Sequence, residues 1–194
     1  MHRIPNILSG TRIILSPVFL VLWFQGEFWL KAVALAIYIV AAVTDYFDGY
    51  YARKYQVETN LGIFLDPLAD KFLTFSGFVV LPFIDPSQFP WWAIGLIIFR
   101  DVFITVLRVY MNKKKQPMQT RFTAKAKTTI QMIFLYIGLV VGLFQGVDFF
   151  VGDWIELLLT TNILLILMIF VTFVTLYSGF EYIYINRGVF KKTT

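Results

Sequence analysis

Apolar residues gather into long runs along this chain, and short polar segments separate the runs. A helix needs about 20 apolar residues to cross the hydrocarbon core of a bilayer, and most of the runs approach or exceed that length. We therefore predict an all-α integral membrane protein with a single domain over residues 1–194. The six predicted transmembrane helices lie approximately at 13–25, 30–53, 61–83, 90–111, 126–147 and 154–184.

The segment before the first run has a different, amphipathic pattern. In MHRIPNILSGTR, the apolar residues Ile4, Ile7 and Leu8 fall on one side of a helix, and the basic residues fall elsewhere. Such a pattern is typical of a helix that lies on the membrane surface. We predict a short N-terminal amphipathic interfacial helix here, and an ordinary frayed terminus is the alternative.

Composition agrees with a membrane location and excludes several kinds of chemistry. Hydrophobic residues make up 58% of the chain and charged residues 15%, whereas soluble domains carry about a quarter charged residues. The chain has no cysteine, which excludes disulfides, thiolate catalysis and cysteine-bound zinc. Its only histidine is His2, so we do not expect histidine to act as a base or as a metal ligand.

The basic residues predict how the helices are oriented. With the N-terminus in the cytoplasm, fourteen of the 17 basic residues fall on the cytoplasmic side and one, Lys31, falls on the opposite side. This asymmetry favours an even number of spans with both termini in the cytoplasm. The net charge of +5 then reflects topology and attraction to anionic lipid, and we expect no nucleic-acid binding. The short chain favours a bacterial plasma membrane.

Four aspartates occur where the second apolar run ends and the third begins, in TDYFDGYYARKYQVETNLGIFLDPLADK (44–71). Helical spacing puts Asp45 with Asp48 on one helix face and Asp66 with Asp70 on another. If the two helices are antiparallel neighbours, four carboxylates come close together near the membrane, where ionisable groups mark functional sites. Divalent cations would hold them ionised, and oxygen ligands suit Mg²⁺ or Mn²⁺ better than zinc.

The aspartates have two alternative roles besides metal binding. One is salt bridging along the helices, such as Asp48 with Arg53, although the nearby bases are too few to neutralise the carboxylates. The second is ion binding in a cation transporter, in which intramembrane carboxylates form ion sites near the bilayer midplane. Here the aspartates cluster at one face, and no second acidic group lies deeper in the spans to continue a path.

The same stretch resembles the signature of the CDP-alcohol phosphotransferase family. The resemblance covers eight fixed positions, Asp-x2-Asp-Gly-x2-Ala-Arg-x8-Gly-x3-Asp-x3-Asp, between Asp45 and Asp70. It implies a helical membrane enzyme, usually a homodimer, that displaces CMP from a CDP-linked lipid or alcohol with an incoming hydroxyl. It also implies a site with two metal ions, Mg²⁺ or Mn²⁺, that opens to the cytoplasm.

The resemblance assigns roles to individual residues of the signature. It implies that Asp70 is the base for the attacking hydroxyl as well as a metal ligand. The implied metal ligands are Asp45, Asp48, Asp66 and Asp70. The residues implied to shape the cytidine nucleotide site are Gly49, Ala52, Arg53 and Gly62.

Basic residues outside the signature indicate which acceptor is used. Arg100 and Arg108 fall on one face of the fourth span, and Lys125 and Lys127 begin the fifth. Guanidinium and ammonium groups beside a metal site suit an acceptor that itself carries a phosphate. A topological role explains Lys113–Lys115 better than a binding role does.

These segments, together with the N-terminal Ser9 and Arg12, resemble the branch of the family that transfers a phosphatidyl group from CDP-diacylglycerol to glycerol 3-phosphate. In that branch a threonine, a glutamate and a glycine are typical where this chain has Ser9, Asp101 and Ala124. The alternative is the branch that takes phosphatidylglycerol as the acceptor and makes cardiolipin.

Overall fold

A computed structural model gives the fold of the chain. It describes the backbone of residues 4–55, 60–114, 122–147 and 150–187, and the side chains of residues 11–44, 71–111, 114, 123–147 and 152–187.

Within the described ranges every regular element is an α-helix, and there is no strand. The all-α prediction is therefore confirmed. Five of the six predicted spans correspond to a helix that begins and ends within a few residues of the prediction, except that the first helix begins earlier. The helices are α1 (Ile4–Phe24), α2 (Phe28–Tyr55), α3 (Asn60–Ile84), α4 (Trp91–Lys113), α5 (Phe122–Phe144), α6 (Phe150–Thr160) and α7 (Ile163–Ile185).

Two predicted boundaries were wrong. The predicted interfacial segment is not a separate helix, because α1 runs without a break from Ile4 into the first apolar run. Pro5 lies in the first turn of α1, where proline is accepted, so it does not interrupt the helix. The predicted span 154–184 is two helices, α6 and α7, which meet at Thr161 and Asn162.

Polar side chains explain the break between α6 and α7. The hydroxyl of Thr160 donates to the carbonyl of Glu156 at 2.9 Å, and that of Thr161 donates to the carbonyl of Leu158 at 3.3 Å. Such side-chain bonds compete with the backbone ladder and favour helix ends. The buried amide of Gln88, from the α3–α4 loop, then spans the break. It donates to the carbonyl of Leu159 at 3.0 Å and accepts from the amide of Leu165 at 3.1 Å.

The chain divides into two compact units, Met1–Val80 and Leu81–Thr194. In the first unit, α1 packs along α2. Phe19 is fully buried there, with its ring 4.9 Å from that of Tyr38 and 5.7 Å from that of Trp23. Gly26 closes the turn between the two helices with φ +83°, a conformation that glycine adopts without strain.

In the second unit, α7 packs against both α4 and α5, and α6 packs against α5 and α7. The end of α3 reaches this unit, where the fully buried Leu81 lies against Gly138 of α5. A Cβ on Gly138 would lie 2.6 Å from the Leu81 side chain, so a larger residue there would force this buried side chain to move. The rings of Phe89 and Phe134 continue the core at 5.9 Å.

The buried face of α7 mixes small and polar residues with apolar ones, and its exposed face is strongly apolar. The buried face includes Thr172, Thr175, Ser178 and Gly179, whereas the exposed face carries aromatic and aliphatic side chains. Phe173 is 66% exposed and Phe180 is 72% exposed. Helices that face lipid have this arrangement, because small and polar residues serve helix–helix contact and apolar residues meet the lipid. Of the described residues, Thr123–Phe144 and Ile163–Ile185 form helices long and apolar enough to cross a membrane.

Candidate functional site

The aspartate segment lies on two helices whose side chains at this segment are outside the described residues. The backbone places Asp45 and Asp48 in α2, and Asp66 and Asp70 in α3. Helical structure therefore agrees with the spacing that puts the members of each pair on one face. The side chains of the nucleotide-site residues also lie outside the described set; these residues are Gly49, Ala52, Arg53 and Gly62.

The predicted N-terminal contacts belong to α1. The side chain of Ser9 is outside the described residues, and Arg12 is buried. The carbonyl of Arg12 accepts a hydrogen bond from the hydroxyl of Ser16 at 2.9 Å. A guanidinium buried this deeply in an apolar helix requires polar neighbours.

The predicted acceptor residues of α4 lie along the face that meets α7. Arg100, Ile104, Arg108 and Met111 follow one another at helical spacing, and the two apolar residues pack with Tyr182 of α7. Nε of Arg108 donates to the hydroxyl of Tyr182 at 3.3 Å, and the guanidinium carbon lies 5.5 Å from the centre of that ring. Among the described residues, no hydrogen bond engages the two terminal amino groups of the exposed Arg108.

A buried carboxylate holds two of the predicted cations. Oδ1 of Asp101 accepts from Nη1 of Arg100 at 3.1 Å and also pairs with Nζ of Lys127 on α5. The side chains of Asp101 and Lys127 are each 2% exposed, and that of Arg100 is 10% exposed. Removing one member of such a buried pair leaves an uncompensated charge and costs about 3–5 kcal/mol. This ion network therefore ties α4 to α5.

Small residues of α7 make room for the Arg100 side chain. Nη2 of Arg100 donates to the hydroxyl of Ser178 at 2.9 Å. The aliphatic part of Arg100 crosses Gly179, where a Cβ would lie 3.0 Å from Nε and 3.1 Å from Cγ. Arg100 thus joins α4 to α7 at the level where Asp101 joins α4 to α5.

A second polar contact lies one turn further along α5. Nε2 of Gln131 donates to the hydroxyl of Thr175 at 3.0 Å, and both residues are buried. Because Lys127 and Gln131 are four residues apart, they share one face of α5. That face carries an ionic contact to α4 and a neutral contact to α7.

The four predicted acceptor residues therefore form two pairs with different surroundings. We call Arg100 and Lys127 the inner pair, because both are tied to Asp101 inside the unit. We call Arg108 and Lys125 the outer pair, because both are exposed. Cations of the outer pair are accessible to an anion such as a phosphate, and an arginine fork recognises phosphate in a bidentate manner.

Sequence reasoning missed the residues that organise this basic cluster. Asp101, Ser178, Gly179 and Tyr182 all contact a predicted cation, and the sequence pattern predicted a role for none of them. The position of Asp101 beside Arg100, where the family branch has glutamate, was a usable signal. No signal pointed to the α7 residues, because nothing in the sequence says which turn of α7 meets α4.

Comparison with known proteins agrees with the signature. A model of the CDP-alcohol phosphatidyltransferase family matches residues 2–177, most of the chain and both of its units. The chain therefore belongs to the CDP-alcohol phosphatidyltransferase family, as the resemblance predicted. It is thus a phosphatidyltransferase by family, which confirms the prediction of an enzyme.

Several bacterial relatives are named CDP-diacylglycerol–glycerol-3-phosphate 3-phosphatidyltransferase. The protein from Cereibacter sphaeroides is 38% identical over 138 residues, which is 69% of this chain and 62% of that relative. The chain thus spans less than two thirds of the length of this relative. The proteins from Escherichia coli strain K12 and Salmonella typhimurium are 36% and 35% identical over 138 residues, which is 74% of each relative.

Proposed function

We propose that this protein transfers the phosphatidyl group of CDP-diacylglycerol to glycerol 3-phosphate, giving phosphatidylglycerophosphate and CMP. The observation that carries the proposal is the set of basic residues on α4 and α5. Arg100 and Arg108 lie two turns apart on one face of α4, and Lys127 of α5 contacts the same carboxylate, that of Asp101, as Arg100 does. A phosphorylated acceptor accounts for this concentration of cations. The names of the relatives support the same reaction.

The signature residues would carry out the transfer. The acceptor hydroxyl attacks the phosphorus that bears diacylglycerol, the bond from this phosphorus to the oxygen of CMP breaks, and CMP leaves. Asp70 would take the proton of the attacking hydroxyl, a step that general bases accelerate about 10²–10⁴-fold. Gly49, Ala52, Arg53 and Gly62 would shape the cytidine nucleotide site.

Four carboxylates with no histidine or cysteine form a donor set that suits Mg²⁺ or Mn²⁺. Asp45, Asp48, Asp66 and Asp70 would hold two such ions. These ions would neutralise the diphosphate and the departing phosphate oxygen, the main requirement in phosphoryl transfer.

The outer pair, Arg108 and Lys125, would bind the acceptor phosphate directly. The inner pair, Arg100 and Lys127, is held by Asp101 on the same two helices. Arg108 supports this assignment because Tyr182 engages its Nε and leaves the terminal fork open among the described residues. Ser9 and Arg12 would contribute contacts from α1.

The apolar exposed face of α7 supports insertion in a membrane, and the bacterial relatives support a bacterial plasma membrane. Six spans would comprise α1–α5 and α7, with both termini and the active site on the cytoplasmic side. The short helix α6 would then lie on the opposite side. A homodimer is the expected assembly, as the family resemblance implies.

Transfer of labelled glycerol 3-phosphate tests the proposal. Purified protein in detergent micelles with CDP-diacylglycerol and Mg²⁺ should convert the label into lipid with one CMP released per lipid formed. EDTA should stop the reaction, and added Mg²⁺ should restore it. CMP release that occurs only when phosphatidylglycerol is supplied as the acceptor would replace the proposal with cardiolipin synthesis. Cation flux in liposomes without CMP release would replace it with transport.

A further inference from the structure

Asp101 has a special place among the acidic residues of the second unit. Its Oδ1 contacts two cations at once, one from its own helix and one from α5. Asp101 and Lys127 are each 2% exposed, so their contact lies in the interior of the unit. Through Arg100 and Ser178 the same network extends to α7.

The network and the outer pair lie on the same two helices, α4 and α5. Lys125 lies two residues before Lys127 in the first turns of α5, so the contact of Lys127 with Asp101 fixes the part of α5 that carries Lys125. Arg108 lies two turns beyond Arg100 on the α4 face that Arg100 and Tyr182 hold against α7. The placement of both exposed cations thus depends on the same buried carboxylate.

We propose that Asp101 is a positioning residue for the acceptor: by holding Arg100 and Lys127 together, it fixes the mutual placement of Arg108 and Lys125 for binding of the acceptor phosphate. The inference rests on the proposed function, because it assigns the outer pair to the phosphate of glycerol 3-phosphate. Asp101 itself would touch neither substrate.

Kinetics of the full-length protein test this role, with CMP release measured against glycerol 3-phosphate and against CDP-diacylglycerol. Asp101→Asn should raise the KM for glycerol 3-phosphate about tenfold, the size of a lost charge-assisted contact, with little change in the KM for CDP-diacylglycerol. Asp101→Glu keeps the charge and should stay within about threefold of the wild type. An unchanged KM in Asp101→Asn would overturn the proposal.

Two further variants separate positioning from stability. Gln131→Met removes the neutral contact one turn along the same face of α5 and should lower the Tm without raising the KM for glycerol 3-phosphate. The double variant Asp101→Asn with Lys127→Met removes one cation together with the carboxylate that it contacts, so it should regain Tm relative to Asp101→Asn while its KM stays high. This double variant also decides the matter if Asp101→Asn alone does not fold.

Three results would contradict a positioning role. In the first, the double variant recovers both its Tm and a normal KM for glycerol 3-phosphate. In the second, Gln131→Met raises this KM as much as Asp101→Asn does. In the third, Asp101→Glu has a KM as high as that of Asp101→Asn. A wild-type protein that ignores glycerol 3-phosphate would instead contradict the proposed function, so the two failures are distinguishable.

Discussion

The acidic segment and the basic cluster of this protein show two ways in which charge is built into apolar helices. The four aspartates lie on α2 and α3 with the spacing of the signature that the sequence resembles. The basic cluster of α4 and α5 has no such uniformity, since one pair of cations is buried on Asp101 and the other is exposed. In the proposed reaction, the acidic segment sets the rate of the chemical step and the basic cluster sets the affinity for the acceptor.

Substitution in the acidic segment should have the largest effect. Asp70→Asn removes the proposed base and should lower kcat for CMP release about 10³-fold, while the Tm stays near that of the wild type. The matched control is Asp85→Asn, because Asp85 caps the α3–α4 loop through Oδ1, which asparagine retains. Near-normal turnover in Asp70→Asn would remove this residue from the chemical step.

Substitution in the outer pair should change affinity instead of rate. Arg108→Ala should raise the KM for glycerol 3-phosphate about 10- to 100-fold, because a hydrogen bond to a charged group contributes about 1.5–3 kcal/mol. Its kcat and its KM for CDP-diacylglycerol should change little. Arg187→Ala is the control, since Arg187 lies over the ring of Tyr184 at 4.3 Å, in a cation–π contact like that of Arg108 with Tyr182.

A KM for glycerol 3-phosphate that is equal in Arg108→Ala and in the wild type would refute the assignment of Arg108. A large fall in the kcat of Arg108→Ala would show that a basic residue takes part in the chemical step. The acidic segment and the basic cluster would then not have separate roles.

The smallest effect is expected from a methyl group placed against the inner pair. Gly179→Ala puts a Cβ about 3.0 Å from Nε of Arg100 and should destabilise the protein by about 1–3 kcal/mol through overpacking. Gly95→Ala in α4 meets nothing within 4 Å and should be neutral or stabilising, because alanine favours the helix by up to about 1 kcal/mol. Thermal unfolding of the two variants makes the comparison. Equal stability would show that Arg100 moves aside easily.

Much of the fold and the family of the protein could be predicted from the sequence. The turn at Gln25–Glu27 and the loop at Asp85–Gln88 lie where polar residues interrupt the apolar runs. The eight-position signature predicts the family because its residue types and spacing are fixed by the chemistry. The family model that matches residues 2–177 agrees with it.

The features that escaped prediction depend on contacts between distant residues. Thr160 and Thr161 look like part of a long apolar run, yet one helix ends and the next begins there. Their hydroxyls and the amide of Gln88, which is more than 70 residues away, make the hydrogen bonds at this break. The division of the basic cluster likewise depends on packing. In the sequence, Arg100 and Arg108 look equivalent, because both lie on one face of α4. In the structure, Ser178 and Gly179 lie beside Arg100.

The most direct test of the account is CMP release from CDP-diacylglycerol, with glycerol 3-phosphate and phosphatidylglycerol supplied separately to the wild type and to Arg108→Ala. We expect the wild type to release CMP with glycerol 3-phosphate and not with phosphatidylglycerol, and we expect Arg108→Ala to need much higher concentrations of glycerol 3-phosphate. Release with phosphatidylglycerol alone, unaffected by Arg108→Ala, would contradict it, because the basic cluster would then not recognise a small phosphorylated acceptor.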